Sequence, residues 1–335
     1  RGVSRQLSEA GLGFEPWQFT LLVRLLGKDK AIKAGSYEVS SGVTPLILLD
    51  KLTRGDVSQG EIMLVEGTVF RQFRAALDAS PDLLHETKGL TNAEVLAKIG
   101  APEQHPEGLF FPDTYLFTKK SSDLDLLRRA YRRMHSELDL AWQQRSPDVP
   151  FSSPYQALIL ASIVEKETGL AQDRPQIAAV FLNRLRKGML LQTDPTVIYG
   201  MGSTFDGNLR RRDLQTDTPY NTYTRLGLPP TPISMPGRAA LQSVLHPPGS
   251  DKLYFVARGD GSSQFSNTLE EHNRAVNQYQ RAQRAQRAKH TQNARTTPLM
   301  GYSSVLKAFT ALASPPTSHR WRSVSGSKAR AGPSS

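Results

Sequence analysis

Apolar positions recur at helical spacing along much of the chain, in segments punctuated by Pro and Gly. The clearest is Leu158-Ile-Leu-Ala-Ser-Ile-Val-Glu-Lys-Glu-Thr-Gly169, an apolar run that ends in two glutamates. Gln156 to Thr168 contains neither Pro nor Gly, opens after Pro154 and stops at Gly169, which predicts a helix with Gly169 as its C′ residue. The run is too short to cross a bilayer and reads as a core helix. Asp173-Arg-Pro-Gln176 predicts a capping box ahead of a second helix, with Ile177, Val180, Phe181 and Leu185 on one face and Gly188 at its end. Ser121 to Gln144 predicts a long charged helix, Pro236 to Leu245 a short one, and Tyr254 to Ser266 a hairpin about Gly259-Asp-Gly-Ser. In the N-terminal third, Gly2–Leu12, Phe19–Leu26 and Thr44–Leu52 predict short amphipathic helices, Gly35–Val39 and Ile62–Glu66 predict strands, and a capped helix opens at Thr91 or Asn92. Together these predict an α+β protein.

The glutamates at the end of the apolar helix carry the candidate chemistry. At about 100° per residue, Glu167 lies near the line of Leu160, Ile163 and Val164, whereas Glu165 points roughly the opposite way. A carboxyl at the end of a buried helix loses water, so its pKa rises and it can hold a proton near neutral pH, as a glycosidic-bond acid must. A lone Glu-Lys-Glu is more often a solvated helix end. Two downstream segments change the odds: Leu191-Gln-Thr-Asp-Pro-Thr-Val-Ile-Tyr-Gly200 and Thr218-Pro-Tyr-Asn-Thr-Tyr-Thr224 place amides, hydroxyls and rings in Pro-punctuated loops. Saccharides are recognised by that mixture, rings stacking on sugar faces and amides and carboxylates binding hydroxyls.

Ala161-Ser-Ile-Val-Glu-Lys-Glu-Thr168, Phe181-Leu-Asn-Arg-Leu185, Leu191 to Gly202, Tyr220-Asn-Thr-Tyr223, Gly227-Leu-Pro-Pro230, Leu253-Tyr-Phe-Val256, Pro106 to Tyr115 and Lys33-Ala-Gly-Ser-Tyr37 closely resemble the YceG-like endolytic murein transglycosylases, over about residues 3–280. The resemblance implies an enzyme that cuts peptidoglycan strands internally, between N-acetylmuramic acid and N-acetylglucosamine, and leaves 1,6-anhydro muramoyl ends, with one essential glutamate at Glu167. It also implies no cofactor, cell-wall synthases as partners, and a single inner-membrane anchor ahead of Arg1 that would put the catalytic part on the periplasmic side. Residues 1–60 are then expected to form a LysM-like subdomain of short helices on a small sheet, 61–104 a linker subdomain, 105–280 a mixed α+β catalytic domain and 281–335 a basic, disordered tail. Gln192, Asp194, Tyr199, Asn221 and Tyr223 are candidate substrate-binding residues by side-chain type and by their place in the matching motifs. Plain turn chemistry competes at Asp194-Pro195 and Tyr220-Asn221. Glu107 and Asp113, flanking Phe110-Phe111-Pro112, read either as groove residues or, in preference, as a hinge into the catalytic part.

Charge alters the picture less than the total suggests. Of 335 residues, 42 are basic and 31 acidic, but residues 281–335 hold ten of the basic ones and no acidic one, so the remainder carries 32 against 31. A near-neutral body argues against a nucleic-acid partner. With no cysteine, disulfides, thiol catalysis and Cys zinc sites are excluded. No His or carboxylate spacing suggests a metal, and His246 and His272 stand near helix ends without a Gly-x-Ser-x-Gly elbow, as structural histidines do. Two alternatives stay open: a hydrolytic muramidase, which needs a second carboxylate such as Asp194, and a non-catalytic glycan-binding scaffold.

Overall fold

The computed structural model describes residues 15–279 apart from 34–36, 38, 40–42 and 56–58, within a unit that ends at Tyr279. Helices α1 (Pro16–Leu25) and α2 (Pro45–Arg54) each begin with Pro in the first turn, where its missing N–H is no loss. Thr44 caps α2 by accepting from the Ile47 amide, and Gly55 closes it at φ +76°. Phe19 and Val23 of α1 meet Leu48, Leu49 and Leu52 of α2 in a small core of their own. The predicted helix 2–12 and the tail lie outside the described residues, as do residues 35, 36 and 38 of the predicted strand 35–39, whose Tyr37 and Val39 pack against the small core.

Strand β1 (Gln59–Met63) pairs antiparallel with β2 (Thr114–Thr118), Gly60 facing Phe117 and Ile62 facing Tyr115. The sequence places β1 three residues too late and does not predict β2, because Thr114–Thr118 comes after a Pro-Asp pair that reads as a hinge. Gly60 has a packing reason, since a Cβ there would lie 2.6 Å from the Phe117 ring. Between the strands run α3 (Phe70–Asp78) and α4 (Asn92–Ile99), the latter opened by a Thr91–Glu94 capping box.

The long helix α5 (Asp123–Gln143), capped by Ser122, leads to α6 (Pro154–Glu167), capped by Ser153. Next come α7 (Arg174–Arg186), α8 (Asp194–Met201), the short α9 (Arg211–Gln215), α10 (Arg238–Leu245) and the hairpin of β3 (Tyr254–Ala257) and β4 (Ser263–Ser266). Ile62, Phe70 and Val95 share one apolar core with Leu127, Leu160 and Leu241, so residues 61–104 pack as part of the same body as helices α5, α6 and α10.

Helix α6 is the axis of this core. Every residue from Ala157 to Val164 is buried, so the helix is apolar all round rather than amphipathic. It packs on α5, α7, α8 and α10. Its one buried hydroxyl, Ser162, donates to the Ile159 carbonyl at 2.7 Å and accepts from the Ile233 amide at 2.9 Å, while Ser234 donates to the Ser162 carbonyl at 3.0 Å. These bonds stitch the loop at 233–235 to the helix without leaving a polar group unmet. The helix ends at Thr168 in extended conformation, φ −149°, so Gly169 is not the left-handed C′ residue that the sequence predicts. The Asp173 capping box does not form either: Asp173 is αR, and its Oδ2 is buried without a partner. Gly188 does close α7, at φ +63°.

Leu160 is fully buried at the centre of this packing. Leu160→Ala is predicted to lower unfolding free energy by about 2–5 kcal/mol, the range for a cavity left in a well-packed core. Urea denaturation measures it; a loss well under 1 kcal/mol would mean that α6 is not packed on all sides.

Candidate active site

The two glutamates at the end of α6 separate as their helical faces require. Glu165 turns to the α10 side, accepting from the Gly237 amide at 2.9 Å with the Arg174 guanidinium 3.7 Å away. It holds the loop before α10 and is a structural anchor. Glu167 turns to the opposite side, where its Oε1 accepts a short hydrogen bond from the Thr193 hydroxyl. Burial pushes the Glu167 pKa up to about 7; the Thr193 bond pulls it down and the nearby Asp194 carboxylate pushes it up, both by less than burial does.

Thr193 is the residue before α8, and several bonds fix it. Thr222 accepts from the Thr193 amide at 3.1 Å through its hydroxyl and from the Gln192 amide at 3.0 Å through its carbonyl. Thr196 donates to the Thr193 carbonyl at 2.7 Å and shares a 2.9 Å bond with the Thr222 hydroxyl. Gln192 takes φ +51°, a left-handed conformation unusual outside glycine, and the pairing with Thr222 holds it there. The loop at 220–224 is shaped in turn by Asn221, whose amide donates to the carbonyls of Leu214 (3.0 Å) and Thr216 (2.7 Å), and whose Oδ1 accepts from the Tyr223 amide at 2.8 Å.

Glu167 opens onto a cavity of about 400 Å³ bordered by Arg184, Gln192, Asp194, Tyr223, Tyr254 and His272, among others. Tyr223 donates to Asp194 Oδ1 at 2.5 Å, which aims that carboxylate and keeps it in the wall. Of the predicted site residues, the structure therefore gathers Glu167, Gln192, Asp194 and Tyr223. Asn221 is fully buried and shapes the loop from beneath; Tyr199 faces elsewhere, stacking edge-on to Tyr220 with centroids 4.9 Å apart and donating to Glu107 at 3.1 Å.

The sequence does not single out Thr193, Arg184 or Tyr254, and it reads His272 as structural. Arg184, 8% exposed, donates to the carbonyls of Leu253 (2.7 Å), Leu190 (3.1 Å) and Leu191 (2.9 Å), tying α7 to β3 and to the turn before Thr193. A charged residue inside the apolar Phe181–Leu185 stretch is the signal that could have found it. His272 stacks on Tyr254, with centroids 5.3 Å apart; burial and then the Arg184 charge hold its pKa low, so it sits in the wall as neutral imidazole. Glu107 reads as a hinge in the sequence, yet it is a buried carboxyl, and burial pushes its pKa up to about 7. Among the described residues, one group has metal-ligating proximity, Asp78, His85 and Asp123, within 4.8 Å of one another. The Asp123 carboxylate there already accepts from the Glu86 and Thr87 amides.

A half-buried, proton-holding carboxyl facing a ring-lined polar cavity is the arrangement of an acid-catalysing site for a polar substrate. The chain belongs to the YceG-like family, whose model matches residues 1–278. It is 34% identical over 272 residues to an endolytic murein transglycosylase of Bacillus subtilis, covering 74% of this chain and 73% of that protein. Over 176 residues it is also 34% identical to an endolytic murein transglycosylase of Streptococcus pneumoniae R6, of whose length it spans 31%. The 2.6 Å crystal structure of a yceG-like protein from Listeria monocytogenes superposes with a TM-score of 0.52 at 31% identity, over 81% of this chain and 93% of that one.

The raised Glu167 pKa has a thermodynamic consequence. Folded protein keeps a proton that the unfolded chain releases near pH 4.5, so this contribution to stability is full below pH 4.5 and lost as pH rises through about 7. Glu167→Gln retains an acceptor for Thr193 and never ionises. It is predicted to match the parent near pH 4.5 and to exceed it above pH 7 by on the order of 3 kcal/mol, at 1.36 kcal/mol per pKa unit. Denaturant unfolding at pH 4.5 and pH 8 measures the two differences; equal differences would contradict the buried-acid reading.

Proposed function

We propose that the protein cleaves murein glycan strands internally as a lytic transglycosylase, with Glu167 as the acid and then the base. The Glu167 carboxyl carries this reading: it is half-buried at the end of α6 and faces the cavity, with a pKa pushed up to about 7. Relatives named endolytic murein transglycosylase support the reading. In this scheme Glu167 gives its proton to the glycosidic oxygen and the C1–O bond breaks, leaving an oxocarbenium ion on the muramoyl ring. The substrate's N-acetyl oxygen and the Asp194 side chain stabilise that charge. The Glu167 carboxylate then takes the proton of the ring's own C6 hydroxyl as its oxygen bonds to C1. The products are a free hydroxyl on the departing sugar and a 1,6-anhydro end, with no water consumed. Tyr223 orients Asp194, Gln192 offers an amide to sugar hydroxyls, and Tyr254 offers a ring face.

Murein lies outside the cytoplasmic membrane, so the reading puts the catalytic unit on the outer face of the inner membrane, held there as a single-pass protein. There, cutting nascent strands would end their elongation beside the cell-wall synthases. One observation favours hydrolysis as a second reading: Asp194 shares the cavity with Glu167, where a carboxylate can direct a water.

Uncrosslinked strands incubated with the protein and analysed by mass spectrometry are predicted to yield internal fragments with 1,6-anhydro muramoyl ends, and none with Glu167→Gln; reducing muramoyl ends would establish the hydrolase instead. Cleavage should fall as pH rises through about 7, because the acid loses its proton. Asp194→Asn removes a charge that holds the proton on, so it should shift this limb to lower pH. An unmoved limb would detach Asp194 from the acid.

A further inference from the structure

The Glu107 carboxyl has no part in the scheme above, and it lies in the wall of a second, larger cavity of about 1100 Å³. Glu107 is 3% exposed; its Oε1 accepts from the Phe70 amide at the start of α3 at 2.9 Å, and its Oε2 from the Tyr199 hydroxyl at 3.1 Å. Gly108, at φ +80°, presses this turn against Pro232, where a Cβ would lie 2.5 Å from the ring. The position is therefore built by the fold.

The two cavities share a wall. Lys166 borders the larger and Glu167 the smaller; Pro195 borders the larger and Asp194 the smaller. Neighbouring residues of α6 and of the start of α8 thus line both cavities. Its charge leans positive, with Arg71, Arg74 and Lys166 against Asp78 and the half-protonated Glu107. His105, also in the wall, is held neutral by burial. Arg74 is occupied by the carbonyls of Leu90 and Thr87, at 2.8 and 2.7 Å, and Lys166 gives one bond to the Gly67 carbonyl at 3.1 Å. Arg71 is exposed and makes no hydrogen bond or ion pair among the described residues.

A neutral sugar backbone has no use for this surplus of cations. The carboxylates of murein sit on the peptide attached to its muramoyl ring, and a cavity of this volume accommodates a short peptide. We propose that the larger cavity receives the acidic peptide substituent of the strand whose glycosidic bond lies at Glu167, with Arg71 and Lys166 meeting its carboxylates and the Glu107–Tyr199 pair hydrogen-bonding its amides. This rests on the murein reading and adds to it a preference for peptide-bearing strands.

The test compares strands with intact peptides and strands stripped of them by an amidase, whose freed lactyl carboxylates are then capped as neutral methylamides so that the two differ in the peptide and its charge. Binding is measured by calorimetry on the full chain carrying Glu167→Gln, with and without Arg71→Gln, and cleavage of both strands on the parent. Peptide-bearing strands are expected to bind the Glu167→Gln protein more tightly, and Arg71→Gln is expected to reduce that ratio about three- to tenfold, as loss of one partly exposed charge-assisted bond does. Added salt should shrink the ratio too. Equal affinity for both strands, or an Arg71→Gln effect of equal size on both, would overturn the proposal, the second outcome assigning the cavity to sugar. Preferential binding without any cleavage by the parent would sink the catalytic reading and leave this one standing; cleavage without preference would do the reverse.

Discussion

One carboxyl is held half-buried at the end of an apolar helix, with part of its water replaced by protein, and most of the architecture around the site depends on that constraint. Glu167 stands at the end of a helix in which eight consecutive residues, Ala157 to Val164, are buried, so the backbone that carries it cannot tilt toward solvent without opening the core. A helix this apolar would have no reason to stop at a glutamate pair unless each found a place. Glu165 finds one on the Gly237 amide, beside Arg174, and Glu167 on the Thr193 hydroxyl. One hydroxyl is a weak offset to desolvation, which is why the proton stays on.

The loops around this end are organised to keep Thr193 and Asp194 where they are. Asn221 ties the 214–216 backbone to its own turn at Tyr223, Thr222 pins Gln192 and Thr193, and Arg184 joins α7, β3 and the 190–192 turn. None of these three side chains need touch a substrate to matter. Each acts on the geometry between the acid and the Asp194 carboxylate, whose negative charge favours the protonated acid before bond cleavage and the cationic sugar after it. The same charge thus serves both halves of the proposed reaction.

Much of this was legible in the chain, and the parts that were not have physical reasons. The helices from α5 to α7, α10 and the β3–β4 hairpin arise from apolar period and turn residues, which are local. The choice of Glu167 over Glu165 came from helical phase and from the family resemblance, which point to the same residue. Strand β2 was hidden because its pairing with β1 joins segments more than fifty residues apart, and periodicity carries no trace of a partner. Asp173 fits a capping box by spacing, but its αR backbone points the side chain away from the N3 amide. Asn221 and Tyr199 have the side chains of sugar-binding residues and lie in matching motifs, yet one is fully buried on backbone carbonyls and the other faces Glu107. Glu107 itself looked like a hinge, because only the folded chain covers it with Phe70 and Tyr199.

The central claim is a protonated Glu167 near neutrality, and a direct titration tests it. Carboxyl carbons labelled with ¹³C in glutamate, tracked by NMR from pH 4 to pH 9 in the parent and in Glu167→Gln, isolate the Glu167 signal by difference. The account predicts a midpoint near 7. A midpoint near the ordinary glutamate value of about 4.3 would mean that the carboxyl is solvated and ionised at neutral pH, and no acid of the kind described here would be present.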